Sequence, residues 1–386
     1  MAIDRRLFLK ACAAPGAMRV ATLARAAAAL PAFIAARIDG ANGFSVAVLD
    51  HAGTVLFTES LDVRGHDIAI APDRSTAVVF ARRPGRFALV LDVAGRRRVT
   101  AFAPPDGRHF YGHGFFSADG KVLFATENDY EGERGVLGLY DATDGYRRIG
   151  EFDTWGAGPH EALLLSDGKT IAVGNGGEIT HPDYDRLMLN RAEMEPSLTY
   201  VDAATGDLVG KVVLPASLRQ LSIRHMSETA GRTVWFGCQY EGLETDRVAL
   251  VGTHRPGEDA RLIEAPGDAY AGMRQYVGAV ATSGDGRLGA ATSPVGGHVI
   301  LFDAATRDLV AKMIATLLAD PDRFRAVVDG TWSAADVVAE ALRFETPTLY
   351  VARIAGEAAV VGGVALPANA AVIVYLAVAN RDPATY

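Results

Sequence analysis

Residues 112–141 read GHGFFSADGKVLFATENDYEGERGVLGLYD and contain one copy of a pattern that organises most of this chain. A Gly-His pair opens an apolar run, the turn at Asp119-Gly120 follows, and two further apolar runs end at Asp141. A polar turn and a fourth run complete the copy. Alternating apolar runs between Asp-Gly turns are typical of half-buried β-strands joined as hairpins. The stretch therefore predicts three antiparallel strands, and the run after Asp141 predicts a fourth.

The same pattern recurs with a period of roughly fifty residues, which is typical of repeat architectures. Four copies carry histidine at the second position and a fifth carries glycine. The copies begin at Gly65-His66, Gly112-His113, Pro159-His160, Arg224-His225 and Val277-Gly278. Four strands per copy at this period predict the blades of a β-propeller, with a solenoid as the alternative.

An incomplete blade precedes the first copy. Three strand-like runs, at Phe33–Ile38, Phe44–Asp50 and Val55–Ser60, correspond to the second, third and fourth strands of a blade. We therefore predict an all-β fold with a propeller over residues 37–307, of six blades, with seven as the alternative. The missing strand should come from the C-terminal side, but the pattern changes near residues 303–310, so we expect this blade to close imperfectly.

The composition excludes several classes of function. A net charge of −8 argues against a nucleic-acid partner, and no apolar stretch is long enough to predict a membrane span. Two cysteines, Cys12 and Cys238, cannot form a disulfide framework or a cysteine-rich metal site. We expect Cys238 to be a buried strand residue.

Residues 1–36 resemble a twin-arginine export signal. The stretch Asp4-Arg5-Arg6-Leu7-Phe8-Leu9-Lys10 has paired arginines before Phe-Leu-Lys, and small residues near 26–36 offer cleavage sites. Arg19 and Arg25 depart from the usual uncharged apolar region. The resemblance implies delivery to the periplasm. The alternative is a cytoplasmic, basic, amphipathic N-terminus.

Residues 40–305 resemble a bacterial family called domain of unknown function 1513. The stretches that carry the resemblance include VFARRPG at 79–85, RHFYGHG at 108–114, GPHE at 158–161, RQLSIRH at 219–225 and FGCQYEG at 236–242. The resemblance implies an exported propeller encoded beside imelysin-type and di-haem peroxidase-type iron-uptake proteins, with no established activity. We expect a non-enzymatic binding or scaffold protein in iron handling, with periplasmic iron-uptake proteins as partners.

Residues 308–386 follow a different pattern, that of a short α+β tail. Leu309, Met313, Leu317 and Leu318 have helical spacing that stops before a proline. Short strands are predicted afterwards, at Val360–Val364 and Val372–Ala377.

This tail resembles the later part of a bacterial cytochrome P450. Glu340 and Arg343 match the Glu-x-x-Arg motif of that family, and Arg353 matches its arginine to a haem propionate. The P450 reaction needs a cysteine thiolate on the iron, and the family's cysteine loop would follow Tyr386. We therefore expect these three residues to be a remnant without haem. A haem-binding P450-type monooxygenase is the alternative function.

His66, His113, His160 and His225 occupy one position of the repeat, at the start of each innermost strand. In a propeller such positions surround the central channel. Four imidazoles there suit iron or copper, and Glu161 could add an oxygen ligand. The structural alternative is that each Gly-His pair fixes blade geometry through hydrogen bonds. A further alternative function is an enzyme that uses these channel histidines.

A polar, acidic cluster is predicted beside His113. Its members are Tyr111, Glu127, Asn128, Asp129 and Glu131. Acidic loop residues either bind a cation or a basic partner, or form a solvated face.

Overall fold

The computed structural model describes residues 30–38, 43–82, 85–184, 187–229, 232–264, 269–284, 286, 288–303, 309–311, 351–354, 359–361, 364–366 and 371–374. Within these ranges the chain forms strands and three short 3-10 turns, so the all-β prediction is confirmed. None of the helices in these ranges has the length and apolar character needed to cross a membrane.

Six antiparallel sheets follow one another along the chain, and each pairs consecutive strands in order. The first sheet has three strands: β1 (Phe33–Ile38), β2 (Phe44–Leu49) and β3 (Val55–Leu61). The next three sheets have four strands each: β4 (Gly65–Ile70), β5 (Thr76–Ala81), β6 (Ala88–Asp92), β7 (Arg97–Phe102), β8 (Arg108–Phe116), β9 (Val122–Asp129), β10 (Arg134–Asp141), β11 (Arg147–Asp153), β12 (Pro159–Leu164), β13 (Thr170–Asn175), β14 (Ser197–Asp202) and β15 (Leu208–Val213). The last two also have four: β16 (Leu221–Thr229), β17 (Thr233–Tyr240), β18 (Val251–His254), β19 (Arg261–Leu262), β20 (Ala279–Thr282), β21 (Leu288–Ser293), β22 (His298–Asp303) and β23 (Leu309–Ala311).

The first strands of neighbouring sheets form the inner ring of the fold. Strand β4 contacts β8, β8 contacts β12, β12 contacts β16, and β16 contacts β20. This is the arrangement of six propeller blades around a central channel, as the repeat predicted.

Aromatic side chains fill the space between neighbouring blades. The rings of Phe80 and Phe110 lie 5.3 Å apart between the second and third blades, and those of Trp235 and Phe302 lie 5.8 Å apart between the fifth and sixth. All four are buried, and each contributes about 1.5–3 kcal/mol or more through apolar burial. Cys238 is also buried, on β17, as predicted.

The first blade keeps three strands within the described part of the chain. Strand β1 pairs only with β2 there, so its other edge carries no paired strand. Phe33 and Ile38 on β1 are exposed, which lets water reach the backbone groups of this edge. The expected incomplete blade is therefore what the described residues show.

The segment after β22 corrects one prediction. Leu309–Ala311 form β23, which pairs with β22 through Phe302↔Leu309 and Ile300↔Ala311, so the predicted helix is wrong at Leu309. The free edge of β22 offers backbone donors and acceptors, and pairing with them outweighs a helical spacing of apolar residues. The strand also lies beyond the predicted propeller boundary at residue 307. The remaining residues of the predicted helix fall outside the described ranges.

Four tail strands are described, and they form two small sheets. Strand β24 (Val351–Ile354) pairs with β27 (Ala371–Val374), and β25 (Ala359–Val361) pairs with β26 (Val364–Leu366). The single strand predicted over Val360–Val364 is therefore two strands. Gly362 and Gly363 separate them in the sequence, and a Gly-Gly pair favours a tight hairpin over a continuous strand.

Candidate metal centre

A β-bulge interrupts the inner strand of each histidine-bearing blade, at the histidine in three blades and at Arg224, just before His225, in the fourth. Pairing of β4 with β5 shifts between Gly65 and Ile68, and pairing of β8 with β9 shifts between Phe110 and Gly114. The other shifts lie between Pro159 and Glu161 and between Ile223 and His225. A bulge re-aims a side chain out of the regular pleat. Each blade thereby presents its imidazole at the inner ring.

The structure brings the four imidazoles of His66, His113, His160 and His225 into one group, here called the imidazole cluster. The ring of His113 lies 4.8 Å from that of His66, 4.8 Å from that of His160 and 5.3 Å from that of His225. The rings of His160 and His225 lie 4.8 Å apart. His113, His160 and His225 are buried.

A glycine makes room for one of these rings. Gly112 has a φ of +105°, and a Cβ atom added to it would lie 2.5 Å from Cδ2 of His66. Both the backbone angle and the close approach require glycine. The Gly112-His113 pair therefore contributes to two blades. His113 belongs to its own blade, and Gly112 leaves room for the ring of His66 from the preceding blade.

Two carboxylates orient two of the imidazoles from the preceding blade. Asp67 Oδ2 lies 3.1 Å from Nδ1 of His113, and Glu161 Oε2 lies 3.2 Å from Nδ1 of His225. Glu161 Oε2 also accepts a 2.9 Å hydrogen bond from the backbone N–H of Met226. A carboxylate on one ring nitrogen fixes the tautomer and directs the other nitrogen toward a metal; in His113 that other nitrogen, Nε2, lies within hydrogen-bond distance of Nε2 of His66. Each carboxylate follows the histidine of its own blade in the sequence, which is the signal that sequence analysis overlooked for Asp67.

Two buried ring nitrogens have no hydrogen-bond partner among the described residues. They are Nδ1 of His160 and Nε2 of His225. An unsatisfied buried polar atom costs about 1–3 kcal/mol, and such atoms call for a specific explanation in a folded protein. A ligand held between these rings would supply it.

Two rings of the cluster, those of His66 and His160, are held in the neutral form. Burial, reinforced by the neighbouring His113, lowers the pKa of His66 to about 2. Burial and the adjacent His225 also hold the pKa of His160 well below its ordinary value. Burial lowers the pKa of His113 too, but the Asp67 carboxylate outweighs it and the pKa is raised. Neutral imidazole is the form that coordinates metals.

The spacing of the nitrogens matches a shared metal ion. Nε2 of His66 and Nε2 of His113 lie 3.2 Å apart. Two nitrogens bound about 2.1 Å from one metal, at angles between octahedral and tetrahedral, are about 3.0–3.4 Å apart. Ligand atoms of His66, His113 and His160 all lie within 4.8 Å of one another, as do those of His113, Glu161 and His225. Small shifts of side chains would bring the three imidazole nitrogens of His66, His113 and His160 onto one ion.

A cavity of about 820 Å³ opens at the cluster, with His66 and His160 in its lining. Arginines and glutamates from the blade ends and from the segment after β13 are among the other lining residues, together with tyrosines and apolar side chains. A ligand in this cavity could reach an ion held by the imidazoles.

The remaining predicted residues do not join the cluster. Glu340 and Arg343 lie outside the described residues, and Arg353 is described only as a backbone position on β24. Their resemblance to cytochrome P450 stays a prediction.

Glu127 was predicted to belong to an acidic cluster near His113 that is either solvated or binds a cation. The structure shows neither role for this residue. Glu127 is fully buried and accepts hydrogen bonds of 2.6 Å from Tyr140 and 3.0 Å from Arg148. The side chain is buried on β9, and a buried carboxylate needs a cationic partner. Asn128 is buried as well, and its amide donates to the carbonyl of Thr180.

A family model described as "Protein of unknown function (DUF1513)" matches residues 59–332 of the chain. The chain belongs to this family. The matched residues include all four histidines of the cluster, Asp67 and Glu161, so the site lies within the DUF1513 region. The match also continues beyond residue 307, where the sequence predicted the propeller to end.

Two curated relatives match shorter parts of this DUF1513 chain. Protein AknT of Streptomyces galilaeus is 36% identical over 132 residues, which are 32% of this chain and 28% of AknT. Protein TylM3 of Streptomyces fradiae is 28% identical over 160 residues, 40% of this chain and 38% of TylM3. The chain thus spans about a third of the length of these relatives, and neither name states an activity.

Solved structures show a similar fold at low sequence identity. Kuenenia stuttgartiensis hydrazine synthase matches with a TM-score of 0.54 at 15% identity, over 80% of this chain and 85% of that chain. The Cps50 (Swd1) β-propeller domain of Myceliophteria thermophila matches with a TM-score of 0.51 at 12% identity, over 72% of this chain and 81% of that chain. At these identities the likeness establishes the β-propeller fold alone.

Proposed function

We propose that this protein is an exported, non-enzymatic β-propeller that binds a transition-metal ion, iron or copper, in its central channel. The observation that carries the proposal is the convergence of four imidazoles from four blades, two of them backed by carboxylates. Most buried polar atoms of folded proteins have a hydrogen-bond partner, whereas His160 and His225 each bury a nitrogen that has none among the residues the structure describes.

The donor set favours a borderline transition metal. Imidazole nitrogen suits iron, copper and zinc, whereas calcium and magnesium prefer oxygen ligands. Glu161 already accepts hydrogen bonds from His225 and Met226. We therefore assign it the role of positioning His225, and the imidazole nitrogens the role of binding the ion. A role in iron handling, with periplasmic iron-uptake proteins as partners, is part of the proposal and rests on the family resemblance.

Metal analysis of the purified full-length protein tests the proposal. We expect about one iron or copper ion per chain after exposure to each metal and removal of excess, because the two candidate ligand groups share His113. Protein without bound iron or copper after both treatments would overturn it. An absorbance spectrum of the same sample checks for a haem Soret band, which the P450-type alternative requires.

Asp67 offers a test that separates positioning from packing. In Asp67→Asn the amide cannot hold His113 as a carboxylate does, and we expect metal affinity to fall about 10- to 100-fold. Asp67→Glu should restore part of the affinity, because it keeps the charge. Competition titration with a chromogenic chelator measures each value. If Asp67→Asn binds metal as tightly as the wild type, Asp67 does not orient a ligand.

Export is proposed from the arginine pair Arg5-Arg6. We expect replacement of both residues with lysine to retain the protein in the cytoplasm, because the twin-arginine pathway requires the pair. Cell fractionation of the two forms, with a cytoplasmic marker enzyme as control, measures the effect. Equal periplasmic delivery of both forms would remove the claim.

A metal-dependent propeller enzyme is the second candidate function. The open cavity beside His66 and His160 favours it, because a substrate could reach the ion there. If the metal-loaded wild type turns over a substrate and variants without the histidines do not, the protein is an enzyme rather than a binding protein.

A further inference from the structure

The cavity above the imidazole cluster has the size and charge of a site for an organic anion. Its volume of about 820 Å³ falls within the range of about 300–1,000 Å³ that small-molecule sites occupy. A single inorganic oxyanion would fill only a small part of it. His66 and His160 form one part of its wall. Residues from the blade ends and from the segment after β13 form other parts.

Arginine dominates the charged lining of this cavity. The cavity is lined by five arginines and two glutamates: Arg64, Arg82, Arg191, Arg224, Arg274, Glu178 and Glu241. Both glutamates are held by one arginine, since Arg224 lies 3.3 Å from Glu178 and 3.2 Å from Glu241. With five arginines and two glutamates, the lining carries more positive than negative side chains.

Two of these arginines have no carboxylate partner among the described residues. Arg64 directly precedes β4. Arg274 lies between β19 and β20, and its φ of 48° is in the left-handed region. No ion pair within the described ranges includes either residue. Arg191 donates to backbone carbonyl groups, among them that of Gly242. Burial raises the pKa of Glu241, and Arg191 lies close enough to that carboxyl to oppose the rise. Guanidinium groups bind carboxylates with paired, charge-assisted hydrogen bonds.

We propose that this cavity binds a small polycarboxylate, of the citrate class, which also coordinates the metal ion held by the imidazoles. The inference rests on the proposed metal centre and names its second ligand. Arginines from separate blades call for several negative groups on one molecule. A carboxylate oxygen added to imidazole nitrogens gives the donor set typical of non-haem iron. The polycarboxylate thereby favours iron over copper in the centre.

Calorimetric titration of citrate into iron-free and iron-loaded protein tests this proposal. We expect citrate to bind both forms, and to bind the iron-loaded form more tightly. The variant carrying Arg64→Gln and Arg274→Gln should bind citrate about tenfold more weakly or worse, because charge-assisted hydrogen bonds are lost. Its uptake of iron without citrate should equal that of the wild type. Arg97→Gln, an exposed change on the outer strand β7, is the matched control.

The outcomes separate this site from the metal centre. Citrate binding that is absent, or unchanged in the double variant, would overturn the polycarboxylate site while leaving the metal result intact. Citrate binding that depends on the arginines in a protein without iron uptake would keep this site as an anion site and overturn the metal centre. Inorganic phosphate that binds as tightly as citrate would reassign the cavity to single oxyanions and contradict the proposal.

Discussion

Replacing both His113 and His160 with alanine should abolish metal binding, lowering the affinity by more than about a hundredfold. His113 is the central ring of the cluster, since its ring lies within 5.3 Å of the other three. His160 contributes a buried nitrogen that has no hydrogen-bond partner among the described residues. Removing both leaves two imidazoles, too few to close a transition-metal site. Metal content after equilibrium dialysis measures the effect.

The matched control is His51→Ala, which removes an exposed histidine from the turn after β2. We expect the control to bind metal like the wild type. Thermal unfolding without metal shows whether each variant keeps its fold. If the double variant folds and binds as much metal as the wild type, the histidines have only a structural role.

Replacing Arg148 with methionine should lower the free energy of unfolding by about 3–5 kcal/mol. Arg148 donates 3.0 and 2.8 Å hydrogen bonds to Glu127 and Glu151, and Glu127 is fully buried on β9. Methionine fills the volume but leaves the buried Glu127 carboxylate without its ion-pair partner. Urea unfolding of the variant and the wild type measures the loss.

The dependence of this loss on pH follows from the pKa of Glu127. Burial raises the pKa of this carboxyl, and hydrogen bonds with Tyr140 and Arg148 oppose the rise. Without Arg148 the pKa should rise further, so the folded variant takes up a proton more readily than the unfolded chain. The deficit should therefore be larger at pH 8 than at pH 5.

The neighbouring residue provides a matched control for this prediction. Arg147 pairs with Asp144 at the surface, and such exposed pairs contribute about 0–1 kcal/mol. Arg147→Met should therefore change stability little. If the two variants lose the same stability, Glu127 does not depend on Arg148.

The sequence by itself determined the blades. The alternation of apolar residues and the Asp-Gly turns are local signals, and their repetition gives the number of sheets without knowledge of any contact. The four histidines could be placed at the inner ring for the same reason, because one position in a repeat occupies one place in every blade. The three strands before the first copy likewise predicted an incomplete first blade.

The helix predicted from Leu309 shows where local spacing was insufficient. Leu309, Val310 and Ala311 are compatible with either structure, and the choice depends on the exposed edge of β22. A neighbouring strand is a long-range contact, so its effect cannot be read from the spacing of apolar residues alone.

Only the tertiary structure decided the chemistry of the site. The bulges that turn the histidines inward depend on pairing between β4 and β5 and between their counterparts in other blades. Asp67 reaches His113, and Glu161 reaches His225, across the boundary between blades. These partners are 46 and 64 residues apart in the chain. Hydrogen bonds and charge act over a few ångströms of space, so residues distant in sequence acquire their roles only when the ring of blades brings them together.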